Sequence, residues 1–175
     1  MKGIAYLLGA VVALTGAVMY MAHAAGNLDG EAAPIYGIKI PPGYRDWKLI
    51  SVAHEEGNNN DLRAVVGNDV AIKAYRDGKL PFPDGTIIAR LAWSYVPSEE
   101  NDKVFGRAQS FVAGAPINLQ LMVKDSRKYS ATGGWGFAQF KESKPADEMS
   151  LKTCFPCHQP GKAQDLVFTH YAPSP

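Results

Sequence analysis

Apolar and polar residues alternate with a period of two through the middle of the chain. Ile87, Ala89, Leu91, Trp93 and Tyr95 share one parity, and Thr86, Ile88, Arg90, Ala92 and Ser94 the other. Ile117, Leu119, Leu121 and Val123 alternate in the same way with Asn118, Gln120, Met122 and Lys124. Successive side chains of a strand point to opposite faces, so this spacing predicts two strands, the first with a broad apolar face. Trp135 to Phe140 follows Gly133-Gly134 and is aromatic enough for another. Upstream, Asp46 to His54 and Leu62 to Val66 are rich in strand formers, with loop sequence Gly57-Asn58-Asn59-Asn60-Asp61 between them. Asn68 is placed to cap a helix over about Val70 to Arg76, with Val70 and Ala74 on one stripe and Gly78 just past the end. Four or five strands with few helices predict an antiparallel, curved sheet in a mainly β chain, its last segment supplying a short helix or two.

The first residues break this pattern. Lys2 opens a run from Ile4 to Met21 that is apolar with Gly and Thr interspersed, and Ala22-His23-Ala24 then fits an A-x-A cleavage site. Residues 1–24 are therefore expected to be a signal peptide, with an uncleaved membrane anchor as the alternative, and either places the domain on the exported side. Residues 25–40 begin small, polar and acidic and are expected to be a flexible leader. Pro41-Pro42-Gly43 marks a turn, from which a single domain runs over 41–175. A chain of 175 residues suits one core rather than two. Its 46% hydrophobic and 20% charged residues are ordinary for a globular protein. A net charge of +1 without a basic run leaves no footprint for nucleic acid.

The chain has two cysteines, and both fall in Cys154-Phe155-Pro156-Cys157-His158, the C-x-x-C-H pattern of c-type haem attachment. Two thiols three positions apart lie on one side of a helical turn, where they can form thioethers with the two haem vinyl groups. The next side chain, His158, is then placed to ligate iron. Pro156 is tolerated in a first turn, which Ser150 or Thr153 could cap. A thioredoxin pair belongs early in a strand-helix unit, zinc needs further ligands, and a disulfide across two residues would staple almost nothing. One covalent haem c held by Cys154, Cys157 and His158 is the expectation, carried by the C-terminal segment of the sheet domain. Attachment on the exported side makes the periplasm the expected location.

The second axial position separates electron carriage from ligand binding. No methionine follows the motif, which excludes the common carrier with its motif first and its methionine far downstream. Met122, Met149, His54 and His170 remain as alternatives, each more ordinary as a packing or structural residue. The open position is the better reading. Phe82, Phe105, Phe111, Phe137 and Phe140, with Trp47, Trp93 and Trp135, are mostly core, and some could line an apolar distal pocket.

These residues resemble the cytochrome P-460 family and its relatives, the beta-sheet cytochromes c-prime. The likeness rests on the late C-x-x-C-H, on Met122-Val123-Lys124-Asp125-Ser126-Arg127-Lys128-Tyr129, on Gly133-Gly134-Trp135-Gly136-Phe137, and on Ala163-Gln164-Asp165-Leu166-Val167-Phe168-Thr169. It runs from about Tyr44 to Tyr171. The resemblance implies a β-rich homodimer, His158 as proximal ligand, and an open distal site for a small nitrogen-oxide ligand, hydroxylamine or nitric oxide. Hydroxylamine-oxidising members cross-link a lysine to the haem edge. Arg90 stands at the aligned position and is a poor nucleophile, so instead of that bond it is a cofactor-binding candidate as a cation that could face a haem propionate, with plain solvent as the alternative. Those members also carry a distal carboxylate upstream of the motif, for which Glu148 is the catalytic candidate, with Asp147 beside it and Glu55, Glu56 and Arg63 as weaker ones. The expected function is therefore an exported mono-haem cytochrome that binds or oxidises hydroxylamine or nitric oxide and exchanges electrons with a redox partner protein. A periplasmic electron-transfer cytochrome without catalytic activity is the alternative.

Overall fold

The computed structural model describes residues 30–172, so the expected signal peptide and cleavage site lie outside the described residues. The chain forms one six-stranded antiparallel sheet in simple meander order. Its strands are β1 (Lys48–Glu55), β2 (Asp61–Gly67), β3 (Ile87–Pro97), β4 (Phe111–Lys124), β5 (Trp135–Lys141) and β6 (Lys144–Pro145). The class and the antiparallel pairing are those the period-two pattern predicted. Short helices fill the connections: α1 (Asp69–Arg76), α2 (Glu99–Phe105), α3 (Glu148–Lys152) and α4 (Cys154–His158), the last followed by a 3-10 stretch over Gln159–Gln164.

Turn chemistry fixes the connections. The β5–β6 hairpin turns on Glu142 and Ser143, both with positive φ, the backbone twist that suits a two-residue hairpin. Asn68 caps α1 as expected, accepting a hydrogen bond from the Ala71 N–H at 3.0 Å. The helix buries Ala71, Ile72 and Ala74, whereas Val70 is exposed; its apolar stripe is rotated by one position from the expected one, because Ile72 and Ala71 are what the sheet can cover. In β1 the register shifts between Leu49 and Ser51. Ile50 there is buried, and its carbonyl accepts from the Ala172 N–H at 2.8 Å.

Three features differ from the sequence expectation. Residues 33–38, expected in the leader, contribute Ala33, Tyr36 and Ile38 to the core. Tyr36 packs edge-on against Tyr129 and Phe137, and its carbonyl accepts from the Tyr129 hydroxyl, so packed structure begins ahead of Pro41. The β3–β4 hairpin is longer than the alternation alone suggested and carries α2, capped by Ser98 and ended by Gly106 at φ 69°. Finally, β3 is not apolar on one face only. Ile88 and Ala92 of the second parity are buried beside Ala89 and Leu91 of the first, because both faces of the sheet are covered here. One face packs on the main core and the other forms a wall of the cavity described next.

Candidate functional site

Helix α3 begins at Asp147, whose carboxylate accepts from the Ser150 N–H at 2.7 Å. Backbone hydrogen bonding at this N-cap, above all from Ser150, holds Asp147 below the usual carboxylate range. Thr153 both ends α3 and starts α4 in right-handed backbone, so the two helices run on from one another. The expected capping of the motif turn by Ser150 or Thr153 does not occur: the Thr153 hydroxyl donates back to the Ser150 carbonyl at 2.7 Å. The Cys157 N–H instead reaches the Thr153 carbonyl at 3.2 Å.

Cys154 is half-buried and Cys157 is exposed. Burial, and after it the neighbouring Cys157, push the Cys154 thiol up. His158 Nδ1 lies 2.7 Å from the Leu166 carbonyl. A carbonyl can only accept, so Nδ1 carries the proton and the Nε2 lone pair is free for a metal. Phe137 and Phe168 flank the imidazole with ring centroids 5.1 Å away.

Both thiols and His158 open into a cavity of about 740 Å³ between this helical cap and one face of the sheet. The sheet wall is built row by row. Ile88, Met122 and Phe137 are cross-strand partners, and Arg90, Gln120 and Gln139 form the next row of the same parity. Val65 pairs with Arg90, with Arg63 and Asp61 further along β2. All of these line the cavity.

The polar part of this wall is closely bonded. Asp61 is buried; one carboxylate oxygen takes Arg63 Nε at 2.9 Å, and the other takes a short contact from Arg90 Nη2. Arg90 Nη1 donates to Asn118 Oδ1 at 3.0 Å and to Gln120 Oε1 at 3.1 Å, and Gln120 donates on to Gln139 at 2.7 Å. Burial first and Arg63 second lower Arg90 from its ordinary value, with Asp61 opposing, and a guanidinium still stays protonated at working pH. Arg63 Nη2 is buried and 2.8 Å from Asp61, yet it has no aligned acceptor.

The structure thus brings Arg90 into one cavity with Cys154, Cys157 and His158. It does not bring Glu148 there. That carboxylate is exposed on the outer side of α3 and pairs with Lys152 at 2.7 Å. Glu55 pairs with Arg63 at the rim. His54 stacks on Tyr95, His170 lines a separate small cavity, and Met149 is exposed; of the alternative axial ligands only Met122 lines the cavity. Of the aromatic residues that could have lined the pocket, Phe137 does, and the wall is polar beyond it over Arg90, Gln120 and Gln139. Asp61, Asn118, Gln120 and Gln139 escaped the sequence reading. Their signal was polar residues at one parity of strands otherwise rich in apolar ones, which marks a lined cavity rather than solvent when the face is covered.

The donor set fits a haem: two thiols one helical turn apart, an imidazole with its second nitrogen already bonded, and a cavity within the range of cofactor sites. A search of curated proteins gives no match. The family model described as Cytochrome P460 matches residues 41–169, which include every strand and the motif. The chain belongs to the cytochrome P460 family, and this implies a c-type haem protein.

Proposed function

We propose that this chain binds one haem covalently, with Cys154 and Cys157 as thioether donors and His158 as iron ligand, and presents an open coordination position to nitric oxide or hydroxylamine. The observation that carries the reading is the cavity itself, which joins both thiols and a pre-oriented imidazole to a fixed wall of hydrogen-bond donors. The haem iron supplies the ligand-binding and electron-accepting centre. Arg90, Gln120 and Gln139 supply polar groups beside it that the sheet holds in place before any ligand arrives.

Asp61 is the one carboxylate among the described residues lining this cavity. Both its oxygens already accept hydrogen bonds from guanidinium groups, so neither is left without a partner to face a substrate. Oxidation of hydroxylamine releases protons that a nearby base must accept. The chain therefore favours binding of a nitrogen oxide over fast turnover, and Arg90 is proposed as the cationic contact to the cofactor or its ligand. The specific support for the alternative, an electron carrier, is Met122, whose side of the sheet borders the cavity.

Visible spectra decide. A ferrous form that binds carbon monoxide or nitric oxide at once has an open site. Sharp low-spin bands, no response to either gas and conversion to a responsive form by Met122→Leu would establish the carrier. The same proposal places the mature domain in the periplasm, supported by the apolar run ahead of Ala22-His23-Ala24 and by the exported side being where thioether attachment occurs. A redox partner protein and pairing as a homodimer belong to it as well. Exposed Val52 on β1 and exposed Phe111 and Val112 on β4 offer apolar surface for a second copy, and sedimentation of the purified holoprotein tests this.

A further inference from the structure

Lys124 ends β4 with its ammonium buried, and its partner is far away in sequence. Its Nζ lies 2.8 and 2.9 Å from the two oxygens of Asp165 and donates to the Gly133 carbonyl at 3.2 Å. The Trp135 ring lies beneath it, 4.9 Å from Nζ. Asp165 also accepts from the Phe82 N–H at 2.9 Å. The ion pair therefore ties the rigid sheet to the loop after the motif, with side-chain exposures of 6% and 13%.

That loop is where the imidazole finds its partner. Asp165 and Leu166 are consecutive residues in left-handed backbone, at φ 52° and 66°. Such a conformation is disfavoured for both, most of all for leucine, and persists when surrounding contacts over-determine it. The Leu166 carbonyl that follows accepts from His158 Nδ1 at 2.7 Å.

We propose that the Lys124–Asp165 pair is a positioning device for His158. It holds the left-handed pair so that the Leu166 carbonyl stays on Nδ1, and so sets the ring orientation and donor strength of the iron ligand. The proposal rests on the haem reading above. A strong Nδ1–H bond raises the basicity of the other nitrogen. Loosening it weakens the iron–imidazole bond and disfavours the ferric state.

The test compares Lys124→Met, Asp165→Asn, the double change K124Q/D165N and the conservative Lys124→Arg, all as exported holoprotein. Haem content is read first, by pyridine haemochrome. The iron–histidine stretching frequency of the ferrous form and the reduction potential follow. The frequency should fall in the first three and hold in Lys124→Arg. The double change leaves net charge the same and no unpaired buried ion, so its potential should rise through the ligand alone; it also serves where a single change fails to accumulate. Variants that keep full haem, the wild-type frequency and, in the double change, the wild-type potential overturn the proposal, even if they melt earlier, since that is what a merely structural pair would give. Wild-type protein without covalent haem would instead overturn the haem reading.

Discussion

Asp61 stands between two guanidinium groups, and that position makes it the most consequential carboxylate of the described chain. Asp61→Ala leaves Arg63 and Arg90 facing one another on a covered wall, and breaking a buried ion pair from one side costs roughly 3–5 kcal/mol. Both arginines keep 15–19% of their side-chain surface, so about 2–3 kcal/mol is the expected loss here, measured by denaturant unfolding. Cys154 and Cys157 make a prediction of another kind. Replacing both by alanine should abolish retention of haem through acid-acetone extraction, and full retention would refute covalent attachment. In the haem-free chain the raised pKa of Cys154 means less thiolate at neutral pH. Its alkylation should lag that of the exposed Cys157 and catch up as pH rises, which timed mass spectrometry would show. The motif residues were legible in the sequence because their chemistry lies in contiguous spacing. Asp61 and Glu148 were not legible, because burial is decided by partners distant in the chain: the same residue type is an exposed helix ion pair at 148 and a covered anion at 61.

Two strands announced themselves by alternation and a third by its aromatic content after Gly133-Gly134, and all three are present in the sheet. Helix α2 was missed because Glu99 to Phe105 buries no residue and so carries no apolar stripe. Asp102 ties it to the chain that leads into β4, its carboxylate accepting from the Gln109 and Ser110 N–H groups at 2.9 and 2.8 Å. Those backbone bonds lower its pKa. The stabilisation is therefore fully present above the unfolded value near 3.9 and is lost as pH falls through the lower folded one. The hydrogen-exchange protection factors of Gln109 and Ser110 should fall as the pH drops below about 4, and in Asp102→Ala they should be low at every pH. At Gly136 in β5 an added Cβ would lie 2.5 Å from the buried Tyr129 ring. Gly136→Ala should cost about 1–3 kcal/mol in thermal or denaturant melts by overpacking.

The molecule as a whole is a sheet with an opposed helical cap, and the family match covers both. Composition and pattern gave the single sheet, while the cavity between its two walls needed the three-dimensional register of Arg90, Gln120 and Gln139. Intact holoprotein should show the mature chain plus one haem by denaturing mass spectrometry, with an ordinary haemochrome. A strongly shifted haemochrome would mean that a lysine bond to the cofactor exists despite Arg90. Among the described residues no helix is long and apolar enough to cross a membrane.

The walls of the cavity come from separate stretches of chain, residues 58–139 for one and 150–169 for the other. The proposed donors to iron and vinyl groups, Cys154, Cys157 and His158, all belong to the second. Loading a porphyrin would then ask this short stretch to open like a hinged door, parting Lys124 from Asp165 and uncovering Leu151, Leu166 and Val167, while the meander stays zipped. Amide protection in a preparation lacking the cofactor should then persist in β2 to β5 and vanish from Glu148 onward; equal loss in both would mean that the two halves form as one unit.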